Sequence, residues 1–245
     1  MRLGIMLNEM YSPNVARILK AAGQDFVLID CEHGAFDYAE VSAMTACSRA
    51  LGFEMIIRIP AIERTCILKY LEMGADGILV PMVKNSDDVK SAVKYAKYSP
   101  LGERGISTRR AHNDYTPSDL QEYKRTANER SHVYVQIETA ESVDNLEAIA
   151  ACPGLSGMMI GPNDLSNALG TPGRYDSEEF EQAVRKTVET AKCYGIKSGV
   201  ITGNLPLIKS CMSYGIDMLS WSSETSIICS AASQMKKNLQ YGGGD

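Results

Sequence analysis

Short, nearly continuous apolar runs recur along the whole chain, at residues 3–7, 26–30, 55–58, 77–80, 133–138, 157–160, 197–201 and 216–220. A strand with one wet face alternates apolar and polar residues, whereas uninterrupted runs of this length describe strands covered on both faces. Between the runs lie stretches with helical spacing. The sharpest starts at Asp176 or Ser177, where Asp176 and Glu179 have the spacing of a capping box. Phe180, Val184, Val188 and Ala191 then share one face, and Gly195 supplies a left-handed stop. A second helix starts at Asn85 or Ser86 and turns Val89, Ala92, Val93 and Ala96 inward. Residues 141–150 gather Val143, Leu146 and Ala150 on one side, and further helices are expected over 13–22, 37–50, 63–73, 205–214 and 225–239.

Strands that alternate with helices in this way, with no break in composition, predict an α/β fold: a single (β/α)8 TIM barrel over residues 1–245. The competing architecture is a doubly wound open sheet. It loses its main support because no Gly-x-Gly-x-x-Gly follows the first strand. The interval 94–131 is irregular, with the loop Ser99-Pro100-Leu101-Gly102-Glu103-Arg104-Gly105 and an extra helix expected over 117–128. Connections this long are usually functional. The Gly242-Gly243-Gly244 tail is expected to fray.

Composition narrows the function. With 25 Lys and Arg against 30 Asp and Glu, the net charge of −5 argues against nucleic acid as a partner. No apolar run approaches the roughly 20 residues that span a bilayer, and the opening apolar stretch is interrupted by Asn8 and Glu9 before it could serve as a signal sequence. The 7 cysteines are odd in number and contain no Cys-x-x-Cys pair, so reduced thiols in a cytoplasmic protein are the expected reading. A globular enzyme or small-molecule binder is the class that remains.

In a barrel of this kind the chemistry sits where strands end. The second run ends in Asp30-Cys31-Glu32-His33-Gly34, the third in Arg58 and the fifth in Gln136-Ile137-Glu138, while the sixth leads into Gly161-Pro162-Asn163-Asp164. Glu138 and Asp164 are candidate ligands for a hard divalent cation such as Mg2+ or Mn2+. Taken singly, either carboxylate is as well explained as a cap or ion-pair partner, and Asp164 could cap a segment beginning at Leu165. His33 differs from His112 and His132 in standing at a strand terminus behind acids and before a glycine, where a general base tuned near neutral pH is plausible. An arginine ending an apolar strand is costly without a partner, so Arg58 is either a structural ion pair in the barrel mouth or a clamp on a carboxylate or enolate. The backbone N–H groups from Gly161 to Asp164 open a helix and suit an anionic carboxylate.

These residues carry a resemblance. Asp25-Phe26-Val27-Leu28-Ile29-Asp30-Cys31-Glu32-His33 resembles the second-strand signature of the HpcH/HpaI aldolases, the metal-dependent (class II) pyruvate aldolases. The likeness continues through residues 71–83 and resumes at Gly102-Glu103-Arg104-Gly105, Val135-Gln136-Ile137-Glu138-Thr139 and Ile160-Gly161-Pro162-Asn163-Asp164-Leu165-Ser166. It implies a barrel whose last helix is exchanged between neighbours, in a hexamer built as a trimer of dimers. Carried over position by position, Glu138 and Asp164 would hold Mg2+, Mn2+ or Co2+, and His33 would accept a proton. Arg58 would stabilise an enolate. Gln136, Gly161 and the backbone of Asn163 and Asp164 would touch the pyruvoyl part of the substrate. Glu72 stands where the family has an Asp that supports the histidine, and Asn163 replaces a common Ala.

The implied reaction is reversible aldol cleavage of a 4-hydroxy-2-oxo or 2-keto-3-deoxy acid to pyruvate and an aldehyde. No Lys presents itself at a strand end as a Schiff-base nucleophile, which counts against the metal-free route. Two rivals stand beside it: a citrate-lyase-like or malyl-CoA-like carbon–carbon lyase, for which no CoA-binding surface is evident, and a catalytically silent barrel that binds a 2-oxo acid. Helix 63–73 should run away from the catalytic rim, so Glu72 could meet His33 only across a subunit interface. Otherwise Asp30 or a water supports the histidine.

Overall fold

A computed structural model describes residues 1–116 and 119–241. Eight parallel strands close a barrel in sequence order: β1 (Arg2–Leu7), β2 (Phe26–Asp30), β3 (Glu54–Arg58), β4 (Gly77–Val80), β5 (His132–Ile137), β6 (Gly157–Ile160), β7 (Lys197–Ile201) and β8 (Met218–Ser223). The helices are α1 (Val15–Ala21), α2 (Tyr38–Leu51), α3 (Arg64–Glu72), α4 (Ser86–Ala96), α5 (Leu120–Arg130), α6 (Ala140–Asp144), α7 (Leu146–Ala150), α8 (Pro162–Ala168), α9 (Glu178–Cys193), α10 (Leu205–Tyr214) and α11 (Glu224–Tyr241). The expected TIM barrel is present, each strand feeding helices that return over its outer face.

The strands read as unbroken apolar runs because each is buried twice over. Met6, Phe26, Leu28, Ile56, Leu79, Tyr134, Met159 and Met218 fill the barrel interior. Alternate residues such as Val27, Ile29, Met55, Ile57 and Val135 pack outward against the helices in a larger core. Along a strand successive side chains point to opposite faces, so this parity also fixes which polar residues enter the mouth.

Local differences from the sequence reading have physical causes. The N-cap of α9 is Ser177, whose hydroxyl accepts the Phe180 N–H, so the Asp176–Glu179 capping box does not form. The single helix expected over 141–150 is split at Asn145 into α6 and α7. Residues 162–168 form a helix, with Pro162 in its first turn. The extra helix of the long connection begins at Leu120, and residues 117–118, like the Gly242–Gly244 tail, lie outside the described residues. Helix α11 packs its first turns on the barrel through Ile227, but Ile228, Met235 and Leu239 are 46%, 60% and 74% exposed, without cover among the described residues.

Candidate active site

Phe26 and Leu28 point into the barrel, so Asp30 at the same parity does too, and Ile56 does the same for Arg58. Asp30 and Arg58 are register partners across β2 and β3. Arg58 Nε donates to Asp30 Oδ1 at 2.9 Å and Nη2 to Oδ2 at 2.6 Å, a bidentate pair with Asp30 only 1% exposed. Arg58 Nη1 lies 3.3 Å from Glu32 Oε2. Asp30 Oδ1 also accepts the backbone N–H groups of Glu32 at 3.1 Å and His33 at 3.2 Å. Burial alone would push the Asp30 carboxyl up, but the Arg58 hydrogen bonds and charge hold it below its ordinary range. One carboxylate thus aims the guanidinium and shapes the turn that presents His33.

Across the mouth Tyr134 points inward, and Gln136 and Glu138 follow at the same parity. Glu138 is 2% exposed; its Oε1 accepts the Met82 N–H at 2.6 Å and its Oε2 accepts from Gln136 Nε2. Met82 makes its contact from a left-handed backbone (φ 53°), a conformation a non-glycine residue rarely adopts. Gln136 Oε1 is buried without a partner. A Cβ placed on Gly161 would lie 2.4 Å from Gln136 Nε2 and 2.5 Å from Glu138 Oε2, so only glycine leaves the space over these groups open. Burial pushes Glu138 up to about 7, and the nearby carboxylates of Asp164 and Glu32 add to the shift, against the Met82 N–H and Arg58. Burial likewise raises Glu32. The mouth therefore holds more negative charge than its one arginine neutralises.

The remaining predicted residues are distributed as follows. His33 sits on the rim with its side chain 71% exposed, its Nε2 3.8 Å from Glu32 Oε2. Asn163 and Asp164 are exposed in the first turn of α8, so Asp164 lies inside a helix capped at Gly161 rather than capping one at Leu165. The Tyr175 hydroxyl donates to Asn163 Oδ1. Glu72 ends α3 at the opposite end of the barrel, where its carbonyl faces His112 Nδ1 at 3.4 Å. Within one chain Glu72 and His33 are therefore not neighbours, and the acid beside His33 is Glu32. Among the described residues no group of three or more His, Cys, Asp and Glu is arranged to enclose a metal ion.

Sequence reasoning did not single out Glu224. Its buried carboxylate accepts the N–H groups of Asn8 at 2.8 Å, Glu9 at 2.7 Å and Met10 at 3.0 Å, pinning the β1–α1 loop to the start of α11. The partners are more than 200 residues apart, and no local pattern announces them.

A sequence profile of the HpcH/HpaI aldolase/citrate lyase family matches residues 5–231. The chain belongs to this family. It is 32% identical to a 4-hydroxy-2-oxovalerate aldolase of Rhodococcus jostii over 94% of its own length and 88% of that protein. It is 28% identical to a 5-keto-4-deoxy-D-glucarate aldolase of Enterobacter over 95% of its length and 90% of the relative. Among solved structures, an HpcH/HpaI aldolase from Desulfitobacterium hafniense superposes with a TM-score of 0.93 at 28% identity, covering 98% of this chain and 92% of the other. Like these relatives, this member of the HpcH/HpaI family is an aldolase, a lyase that breaks carbon–carbon bonds. No helix among the described residues is long and apolar enough to cross a membrane.

Proposed function

We propose that this aldolase depends on a divalent metal and reversibly cleaves a 4-hydroxy-2-oxo or 2-keto-3-deoxy acid into pyruvate and an aldehyde. The observation that carries the reading is Glu138, a buried carboxylate without a cation of its own, beside the unpartnered Gln136 Oε1 and under the space Gly161 leaves open. Arg58 offsets its charge only in part, being paired with Asp30 and Glu32. The donors are all hard oxygens, which suits Mg2+, Mn2+ or Co2+. Glu138 and Asp164 are the carboxylates that would hold such an ion. When bound, such an ion supplies a Lewis acid for the carboxylate and 2-keto oxygens of the substrate.

The chain's own residues do the rest. Arg58, fixed by Asp30, directs its remaining N–H donors at the oxygen that becomes negative as the enolate forms, an interaction strongest at the transition state. His33 takes the proton of the 4-hydroxyl directly or through a water, which starts cleavage of the C3–C4 bond. Gln136 and the backbone N–H groups of Asn163 and Asp164 orient the pyruvoyl portion. A Schiff-base route finds no support: the buried lysine, Lys97, spends its ammonium on the Asn128 and Ser131 carbonyls at the far end of the barrel. A screen of 4-hydroxy-2-oxo and 2-keto-3-deoxy acids for pyruvate release, with an acyl-CoA thioester arm, tests the assignment. Cleavage confined to thioesters would favour a malyl-CoA-like lyase, and binding of pyruvate without turnover a silent barrel.

The uncovered stripe of α11 supports a homo-oligomer, the hexamer implied by the family, in which this helix packs on a neighbour. In such an assembly Glu72 would reach the His33 of another chain and strengthen it as a base. Mixing inactive His33→Ala protomers with inactive Glu72→Ala protomers should then restore part of the activity. Absence of rescue would leave Glu32 or a water as the histidine's partner.

A further inference from the structure

At the end of the barrel opposite the mouth, α5, the loops entering β4 and β5, the end of α2 and the turn at residues 111–113 line a solvent-open cavity of about 360 Å3. Its most buried polar wall is Arg104, 6% exposed. Arg104 stacks over the Tyr98 ring at 4.9 Å, and only its Nη1 has a partner, the Ser131 hydroxyl at 3.3 Å. Its Nε and Nη2 are buried with no partner among the described residues. Arg49 and His112 line the same cavity, and Arg49 Nε and His112 Nε2 are likewise buried without a hydrogen-bond partner among the described residues. Leaving several charged or strongly polar nitrogens desolvated costs more than a fold ordinarily tolerates, and an oxyanion is the species that satisfies them together.

We infer that this cavity binds a small oxyanion, a phosphate or carboxylate group held by Arg104, Arg49 and the His112 ring. Arg104, Arg49 and Arg130 share the lining with Asp76, Asp114 and Glu122. Asp114 pairs with Arg49 Nη2 at 3.0 Å and Asp76 accepts the Met55 N–H at 2.9 Å, whereas the buried Arg104 has no carboxylate partner among the described residues and is the cation left for a ligand. Burial first, and then the charge of Arg104, hold His112 down to about 4 against the Glu72 and Ser107 carbonyls, with Arg49 adding a smaller push. With Nδ1–H turned to the Glu72 carbonyl, Nε2 lacks a proton in the neutral ring and gains one when an anion arrives. Binding should therefore take up protons in mildly acidic solution. The site is separate from the barrel mouth and does not depend on the reaction assigned there.

The test is calorimetric titration of the full-length protein with inorganic phosphate, with acetate and pyruvate in parallel arms to separate phosphate from carboxylate recognition. One saturable site per chain is expected. Affinity should fall by about tenfold or more in Arg104→Gln, because charge-assisted hydrogen bonds are lost. Proton uptake, read by repeating the titration in buffers of different ionisation enthalpy, should disappear in His112→Gln. No saturable binding of any oxyanion, or binding unchanged in Arg104→Gln, would overturn the proposal. Should Arg104→Gln fail to fold, Arg49→Gln serves: weakened binding supports the site and unchanged affinity refutes it.

Discussion

Asp30→Asn removes one charge from the most deeply buried ion pair of the mouth. The amide keeps the shape but presents an N–H2 group to a guanidinium that already donates two hydrogen bonds there. Deleting one partner of a buried pair typically costs about 3–5 kcal/mol, since the other charge is left uncompensated. Glu32, 3.3 Å from Arg58 Nη1, takes up part of the charge. The expected loss is therefore near the lower end, about 3 kcal/mol, or roughly 6–12 °C in Tm for a domain of this size. Because Arg58 also loses its fixed aim, kcat for pyruvate release should fall by about 10²-fold, with a smaller change in KM. The pH dependence carries its own signature. Asp30 titrates below its ordinary value in the folded state, so its stabilisation is present above the unfolded carboxylate pKa and fades as pH falls through the folded one. The stability gap between wild type and variant, measured by urea unfolding, should accordingly narrow in acid. A variant that loses stability but keeps wild-type kcat would refute the idea that Asp30 aims Arg58 for chemistry.

Gly161→Ala should depress turnover more than stability, because its Cβ would lie 2.4–2.5 Å from the Gln136 amide and the Glu138 carboxylate; the overpacking costs about 1–3 kcal/mol, and wild-type kcat would contradict the account. Glu224→Gln should cost about 2 kcal/mol and speed amide hydrogen exchange at Asn8, Glu9 and Met10, whereas unchanged exchange would show that the carboxylate does not hold this loop. His112 titrates near 4 when folded, chiefly through burial and then the charge of Arg104, so the unfolded chain binds its proton first. Wild-type stability relative to His112→Gln should be constant above about pH 6.5 and fall by about 2–3 kcal/mol toward pH 4, after allowing for the ring's partial exposure. A flat difference across that window would refute the desolvated ring.

The barrel was legible because doubly buried strands leave continuous apolar runs, and the period of two along each strand sends Asp30, Arg58, Gln136 and Glu138 to the same mouth. The helix boundaries fell within a few residues, except where a competing hydroxyl won the cap at Ser177 or the chain kinked at Asn145. Long-range capture was not legible. Glu224 meets residues 8–10 only because β8 closes against β1, and no local pattern encodes that. The left-handed backbone at Met82 was equally hidden, since nothing in Val80-Pro81-Met82-Val83 requires it; the demand comes from Glu138 on the next strand. The Gly102-Glu103-Arg104-Gly105 loop stood out as family-like, yet its arginine turns to the far end of the barrel. The exposed setting of His33 depends on a turn fixed by Asp30.

The central claim is that the mouth stabilises a pyruvate enolate with the help of a divalent metal at Glu138. Exchange of the pyruvate methyl protons for deuterium in D2O, followed by proton NMR, tests it without knowledge of the aldehyde. Wild type with Mg2+ or Mn2+ should exchange the methyl group, and the exchange should vanish on chelation and in Glu138→Gln. Exchange that persists in chelator at the wild-type rate, or its absence in metal-loaded wild type, would contradict the account.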